Sequence, residues 1–248
     1  YTLSDQTLHW KTEPGYTSQV NYNYETPCLL EIYPDHGPGV QLQTADTLQS
    51  VKTYELAQDN ADRERNGLAI RKMYRTIAPW VTANPIFMHL VYEALILSFG
   101  SHCNMEDTSA ANIKKWKELA DYAHSKKVLI GSYSLFSSRR INDEEDVINP
   151  KTGKPGGTMF GNAPCLGSRW GLDYIQKLKT FMIQTGFDLF ENDGPYPGDR
   201  CASTKHPGHI GLDDSQWKQM ELQKSLYRWC NENGIYVNAP DWYFLDGT

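Results

Sequence analysis

Short apolar segments alternate with longer amphipathic segments in the second half of the chain, and this alternation limits the possible folds more than any other feature of the sequence. The apolar segments are residues 94–99, 128–133, 187–193 and 235–242, and the amphipathic segments are residues 110–125, 168–185 and 214–233. In the latter, apolar side chains recur at helical spacing. This order of strands and helices predicts a parallel sheet covered by helices, either a β/α barrel or a doubly wound sheet. No G-x-G-x-x-G follows a predicted strand, which disfavours a dinucleotide-binding domain.

We therefore predict an α/β fold in which residues 86–248 form part of a (β/α)8 TIM barrel. A complete barrel takes about 250 residues. This chain is accordingly expected to contain only the first, N-terminal part of a catalytic barrel, and the remainder is expected in the same polypeptide.

The N-terminal segment has a different pattern. Residues 19–24 and 29–33 are rich in strand-forming residues, and a turn-forming cluster of Pro, Asp and Gly follows them at residues 34–39. Residues 1–60 are therefore predicted to be the C-terminal part of an antiparallel β-sandwich domain.

A helix is predicted to link the two parts, within residues 61–85. It is expected to run from about Asp62 to Arg75, to bury Leu68, Met73 and Ile77, and to end before Pro79.

Composition excludes some classes of function. The formal net charge of −6 argues against a nucleic-acid partner, and no apolar run approaches the roughly 20 residues of a membrane span. The five cysteines are irregularly spaced, so at most one or two disulfides are expected. The chain begins with Tyr rather than Met and is expected to be a processed or truncated piece of a secreted or periplasmic protein.

Polar residues follow each predicted strand, where the carboxyl ends of barrel strands carry the active site. The candidates are Glu106 and Asp107, Tyr133 and Arg139, Glu191 and Asp193, and Asp241 and Trp242. Paired carboxylates with aromatic side chains suggest glycosidic cleavage. A simpler interpretation of Asp193-Gly194 is a turn.

The loop after residue 200 offers a rival site. It contains Cys201, His206, His209, Asp213 and Asp214. Pro207 and Gly208 separate the two histidines, so no helical spacing places both rings on one side, and the ordered zinc patterns do not match. Polar loop packing is predicted, with no metal and no cofactor. A further long loop, residues 140–159, is predicted to lack structure and to be functional or mobile.

Three segments resemble a known family. Residues 131–134 (GSYS), 170–174 (WGLDY) and 187–193 (FDLFEND) are similar to motifs of the α-galactosidase clan of retaining glycoside hydrolases, families 27 and 36. The resemblance covers roughly residues 60–248. It implies a TIM barrel and makes Asp193 the nucleophile.

From their positions after the predicted strands, sugar-binding roles are predicted for Glu106, Asp107, Tyr133, Arg139, Glu191, Asp241 and Trp242. The resemblance places Asp241-Trp242 where the family has an acid-Trp pair for substrate binding. Glu191 stands where the family has a Lys that contacts the sugar, so the expected substrate is a terminal α-galactoside or a related α-linked sugar of an oligosaccharide or polysaccharide. The family's acid/base Asp lies on a later strand.

Two alternatives stay open. One is a non-catalytic carbohydrate-binding protein on a degenerate barrel. The other is a metal-dependent barrel hydrolase that uses the loop from Cys201 to Asp214.

Overall fold

The computed structural model describes residues 8–12, 30–34, 38–48, 54–77, 94–97, 103–136, 138–157, 162–193 and 199–238. The chain forms two compact units, each built from separate segments. The loop unit contains Tyr1–Gln41, Phe136–Leu172 and Pro195–Gln223, and the sheet unit contains Leu42–Leu135, Asp173–Gly194 and Lys224–Thr248.

Two strands near the N-terminus, β1 (Leu8–Thr12) and β2 (Leu30–Pro34), pair antiparallel. This agrees with the predicted antiparallel pairing, but two strands do not show a β-sandwich. The predicted strand at residues 19–24 lies outside the described residues. The domain boundaries at residues 60 and 85 stay predictions.

Helix α1 (Arg63–Ile77) forms where a helix was predicted, and its role as a linker between domains stays a prediction. The Asp62 carboxylate accepts hydrogen bonds from the backbone N–H groups of Glu64 and Arg65 at 2.8 and 3.1 Å, which satisfies two amides of the first turn. The predicted buried stripe is wrong, because α1 has no buried residue and Leu68 is 56% exposed.

Where the structure describes the sheet unit, it contains four parallel strands: β3 (Ala94–Leu97), β4 (Leu129–Leu135), β5 (Leu189–Asp193) and β6 (Tyr236–Asn238). They are hydrogen-bonded in chain order, β3-β4-β5-β6. Helices α2 (Ala110–Ser125), α3 (Arg169–Thr185) and α4 (Leu212–Glu232) alternate with them in sequence. The α/β class with a parallel sheet is confirmed, while four strands do not by themselves make a closed barrel.

Capping residues account for the helix ends. The Ser109 hydroxyl accepts the Asn112 N–H at the start of α2, and the Ser168 hydroxyl accepts the Gly171 N–H at the start of α3. Gly186 and Gly234, with φ of 74° and 70°, adopt the left-handed conformation that stops α3 and α4. The start of α4 differs from prediction, because it begins at Leu212 and Asp214 lies within its first turn.

The apolar face predicted for α3 is confirmed. Tyr174, Leu178, Phe181 and Met182 are all buried, and Phe181 packs edge-on against Phe187 with ring centroids 5.4 Å apart. Burying side chains of this size contributes roughly 1.5–3 kcal/mol each. These contacts fix the segment that leads from α3 into β5.

The long loop at residues 140–159 is folded where it is described, contrary to prediction. Antiparallel bridges join Asp146 to Pro164 and Ile148 to Pro155. Val147 is buried in a small apolar cluster with Ala163, Cys165 and Cys201. The loop unit therefore has a core of its own.

No helix among the described residues combines the length and the apolar character that crossing a membrane requires.

Candidate active site

Alternation along β5 separates two sets of side chains. Phe190 and Asn192 are buried, whereas Glu191 and Asp193 are half-buried. Successive side chains of a strand point to opposite faces of the sheet. Glu191 and Asp193 therefore share one face, and Phe190 and Asn192 share the other.

Helices cover the face that carries Asn192. Its Nδ2 donates to the hydroxyl of Tyr227 on α4 at 3.2 Å. The hydroxyl of Ser134 on β4 lies 2.6 Å from the hydroxyl of Tyr174 on α3, and the two form a buried hydrogen bond. Hydrogen bonds on this face thus position the helices, while Oδ1 of the buried Asn192 has no hydrogen-bond partner among the described residues.

The opposite face changes from apolar to polar along the strands. Near the start of β5, Leu189 packs against Ile96, Leu129 and Tyr236. Gly131 lies against Leu189 so closely that a Cβ there would overlap it. The polar part lies beyond this layer, toward the carboxyl ends of the strands.

Two hydrogen bonds organise that polar part. The Tyr133 hydroxyl of β4 donates to Oδ2 of Asp193 on β5 at 2.6 Å. Asn238 of β6 donates from Nδ2 to Oε1 of Glu191 at 3.3 Å. The parallel register aligns Glu191 with Asn238, which explains the second contact. It aligns Tyr133 with Glu191, so the Tyr133 side chain reaches diagonally to Asp193, two residues further along β5. Three adjacent strands therefore present an acid-rich polar patch at one sheet edge.

The structure brings Tyr133, Glu191 and Asp193 together, and their roles in binding and catalysis stay predictions. Asn238 was not a predicted site residue. Asn238 pairs with Glu191 in the β5–β6 register. A polar residue at the end of a predicted strand is visible in the sequence, but its pairing with Glu191 is known only once the register is known.

Glu106 and Asp107 lie in the turn that precedes α2. Asp107 accepts the backbone N–H of Ser109 at 2.9 Å, and this bond lowers the pKa of its carboxyl. That contact organises the start of the helix, so the sugar-binding role of both residues stays a prediction.

Arg139 lies in the loop unit, where its guanidinium stacks over the ring of Trp170 with 4.6 Å between Cζ and the ring centroid. Trp170 also packs against Phe136. The predicted role of Arg139 in sugar binding is untested. Asp241 and Trp242 lie outside the described residues.

A second constellation lies within the loop unit. Cys165, Cys201, His206 and His209 are buried, and one potential ligand atom from each lies within 4.8 Å of those of the other three. The inference that His206 and His209 do not come together, drawn from Pro207 and Gly208 between them, is wrong. Their ring centroids lie 5.2 Å apart, with an angle of 85° between the ring planes.

Asp213 and Asp214 are not members of this cluster. Asp213 is exposed, and the buried Asp214 carboxylate accepts the backbone N–H groups of Ile210 and Gly211 at 2.9 to 3.0 Å. The residue that sequence analysis missed is Cys165, which lies 36 positions before Cys201 and belongs to no local motif with it.

Cys165 and Cys201 influence each other strongly. A hydrogen bond from the Cys165 thiol lowers the pKa of Cys201, while burial raises that of Cys165. Burial lowers the pKa of His206, but its hydrogen bond to Cys201 and the thiolate charge outweigh burial and give a net increase. Within the described residues, Cys103, Cys165, Cys201 and Cys230 are free thiols.

No protein-family model matches this chain, and no curated protein matches it. Among solved structures, it is similar to the α-N-acetylgalactosaminidase NagBb from Bifidobacterium bifidum in its GalNAc complex, with 20% identity and a TM-score of 0.40 over 54% of this chain and 23% of that one. It is also similar to the α-galactosidase from Lactobacillus brevis, with 11% identity and a TM-score of 0.36 over 59% and 22%. The chain spans less than a quarter of the length of either structure. Similarity at this level assigns neither a function nor the role of any residue.

Proposed function

We propose that this chain is part of a retaining glycoside hydrolase that cleaves a terminal α-galactoside or a related α-linked sugar from oligosaccharides or polysaccharides, with Asp193 as the nucleophile. The observation that carries the proposal is the 2.6 Å hydrogen bond from Tyr133 to Asp193 at the carboxyl ends of adjacent parallel strands. This is the edge of a β/α fold where catalytic residues lie.

Tyr133 is a positioning residue for the nucleophile. Its hydrogen bond to Oδ2 fixes the rotation of the Asp193 carboxylate, so that Oδ1 is presented in one direction. Oδ1 would then attack the anomeric carbon while the bond to the leaving oxygen breaks and an acid residue protonates that oxygen. Water would hydrolyse the glycosyl ester and return the carboxylate.

Glu191 and Asn238 would bind sugar hydroxyls beside the nucleophile. The Glu191 carboxylate accepts hydrogen bonds, and Asn238 both donates and accepts them. Because an acid here prefers a hydroxyl donor, this patch favours a neutral sugar over one with an anionic substituent at the same position. A retaining mechanism further requires the acid residue to lie about 5–5.5 Å from Asp193.

Covalent trapping tests the nucleophile directly. The protein would be incubated with a panel of activated 2-fluoro and 5-fluoro glycosides and its intact mass measured. The fluorine slows both steps, and an activated leaving group departs without a proton from an acid residue, so the trap reports on Asp193 alone. We expect one adduct, which peptide mapping places on Asp193.

Asp193→Asn should abolish the adduct, because Asn has nearly the shape of Asp but lacks the nucleophilic carboxylate. Asp121→Asn is the matched control, because Asp121 is an exposed carboxylate paired with Lys117 on the surface of α2. An adduct on another carboxylate would refute the assignment. Sugar binding by the full-length protein with no adduct from any activated glycoside of the panel would instead identify a carbohydrate-binding protein.

A further inference from the structure

The cysteine–histidine cluster of the loop unit has the dimensions of a metal site. His206 Nδ1 and His209 Nε2 are 3.3 Å apart, Cys165 Sγ is 3.3 Å from His209 Nε2, and Cys201 Sγ is 3.4 Å from His206 Nδ1. In a tetrahedral zinc site with Zn–N of about 2.0 Å and Zn–S of about 2.3 Å, two nitrogens lie about 3.3 Å apart and a nitrogen and a sulfur about 3.5 Å apart. The observed separations are close to these values.

Surrounding hydrogen bonds orient the donor atoms toward a common centre. Nε2 of His206 lies 2.9 Å from the carbonyl oxygen of Glu144. This oxygen accepts a hydrogen bond from the Nε2–H, which leaves Nδ1 as the ligand atom. This is the arrangement of many metal-binding histidines. The Ile148 N–H donates to Cys201 Sγ at 3.4 Å.

Close backbone contact brings the two ligand-bearing loops together. The Gly208 N–H donates to the Gly167 carbonyl at 2.7 Å, and a Cβ on Gly208 would lie 2.6 Å from the Gly167 Cα. Gly167 follows Cys165 by two residues, and a Cβ on Gly167 would lie 2.7 Å from Cδ2 of His209. Gly208 lies between His206 and His209 in sequence. The loops can therefore approach only with glycine at both positions.

We propose that Cys165, Cys201, His206 and His209 bind one Zn²⁺ ion as a structural site. Two thiolates and two imidazoles suit zinc, whereas Ca²⁺ and Mg²⁺ prefer oxygen ligands. Two thiolates also neutralise the charge of the ion, which allows it to be buried. Four protein ligands fill the tetrahedron and leave no position for substrate or water, so the ion holds the loops together and is not catalytic.

The metal content of the full chain tests this site. The protein would be purified without a polyhistidine tag, reconstituted with zinc, dialysed and measured by mass spectrometry of its metals. We expect about one zinc per chain, and a lower melting temperature after zinc is removed by a chelator.

Cys201→Ala should reduce the bound zinc to a small fraction of the unsubstituted value and make the melting temperature insensitive to chelator. Cys230→Ala is the matched control, because Cys230 is equally buried and lies outside the cluster. If Cys201→Ala does not fold, Co²⁺ titration of the unsubstituted apoprotein should still give the visible absorption of a tetrahedral thiolate site.

Three results would overturn the proposal: no stoichiometric zinc or cobalt after reconstitution, equal zinc in the Cys201→Ala and Cys230→Ala variants, or a Cys165–Cys201 disulfide in metal-free native protein. These readouts do not involve a sugar, so they are independent of the trapping experiment on Asp193.

Discussion

Replacing Tyr133 with Phe tests whether the hydrogen bond to Asp193 positions a nucleophile. The substitution removes one hydroxyl and with it the 2.6 Å bond to Oδ2. Two effects on the trapping rate then compete. Without the bond the carboxylate rotates, and misplacement of a reacting group by about 1 Å can slow a reaction about 100-fold.

The opposing effect is electrostatic. A hydrogen bond to a charged group contributes about 1.5–3 kcal/mol, so the Tyr133 hydroxyl stabilises the carboxylate before it reacts. Any part of this stabilisation that is lost in the transition state, where the carboxylate loses charge, raises the barrier of the unsubstituted protein, and Tyr133→Phe would remove that cost. The transition state resembles an oxocarbenium ion, so the carboxylate keeps most of its charge, and this effect is small. Orientation dominates, and we expect trapping to be about 10- to 100-fold slower.

The next residue of β4 supplies the control. Ser134 points to the opposite face and makes a buried hydrogen bond with Tyr174. Ser134→Ala should cost about 1–3 kcal/mol of folding free energy, which lowers the melting temperature of a chain of this size by roughly 2–12 °C. Its trapping rate, measured well below that temperature, should be normal. Tyr133→Phe should show the reverse pattern, because half-buried Asp193 can rehydrate.

The assay is the second-order rate of adduct formation by intact mass, with melting followed by circular dichroism. Normal trapping in Tyr133→Phe would refute the positioning role. So would a Ser134→Ala variant that is folded yet equally slow, because the two faces would then not be separable.

Three further predictions follow from single contacts. Burial raises the pKa of Cys230 to about 12, so at about pH 8 its thiol should resist iodoacetamide in the native protein and react only in denaturant; fast native labelling, detected by peptide mass, would contradict this. Glu191→Lys, which introduces the residue of the resembled family, should shift the relative trapping rates of the glycoside panel toward plain α-galactosides, and an unchanged profile would show that Glu191 does not contact the sugar. Asp188 accepts the Ile130 N–H at 2.9 Å and contacts His124 at 2.8 Å. Because the Asp188 and His124 side chains are partly exposed, Asp188→Ala should lower the free energy of unfolding, measured by urea denaturation, by only about 1–2 kcal/mol. An unchanged free energy of unfolding would mean that water replaces the carboxylate.

Elements with local signals were predictable from sequence. The bounds of α2, predicted as about residues 110–125, agree with Ala110–Ser125, because a capping serine and an apolar stripe are encoded in consecutive residues. The stops at Gly186 and Gly234 were predictable for the same reason. Tyr133, Glu191 and Asp193 could also be grouped, since the ends of parallel strands share one edge of the sheet.

Contacts between distant loops were not predictable. Nothing near Cys165 indicates that it meets Cys201, because their approach depends on the contact between Gly167 and Gly208 and on bridges within residues 140–164. Loop sequences lack the periodic apolar pattern from which helices and strands are predicted. The predicted burial of Leu68, Met73 and Ile77 on α1 was wrong for a related reason. An apolar stripe shows which face a helix can bury, but not which element packs against that face.

The division of β4 and β5 into two faces has a consequence for how such a protein can diversify. Residue 191 can change what the patch binds without disturbing the hydrogen bonds of Ser134 and Asn192 to the helices, while Tyr133 and Asp193 keep their proposed roles. Substrate preference can therefore drift by single substitutions at little cost in stability. Insertion or deletion of one residue within either strand would instead exchange the two faces, burying carboxylates under helices. Length changes should consequently be confined to the connecting loops, while the strands vary only by replacement.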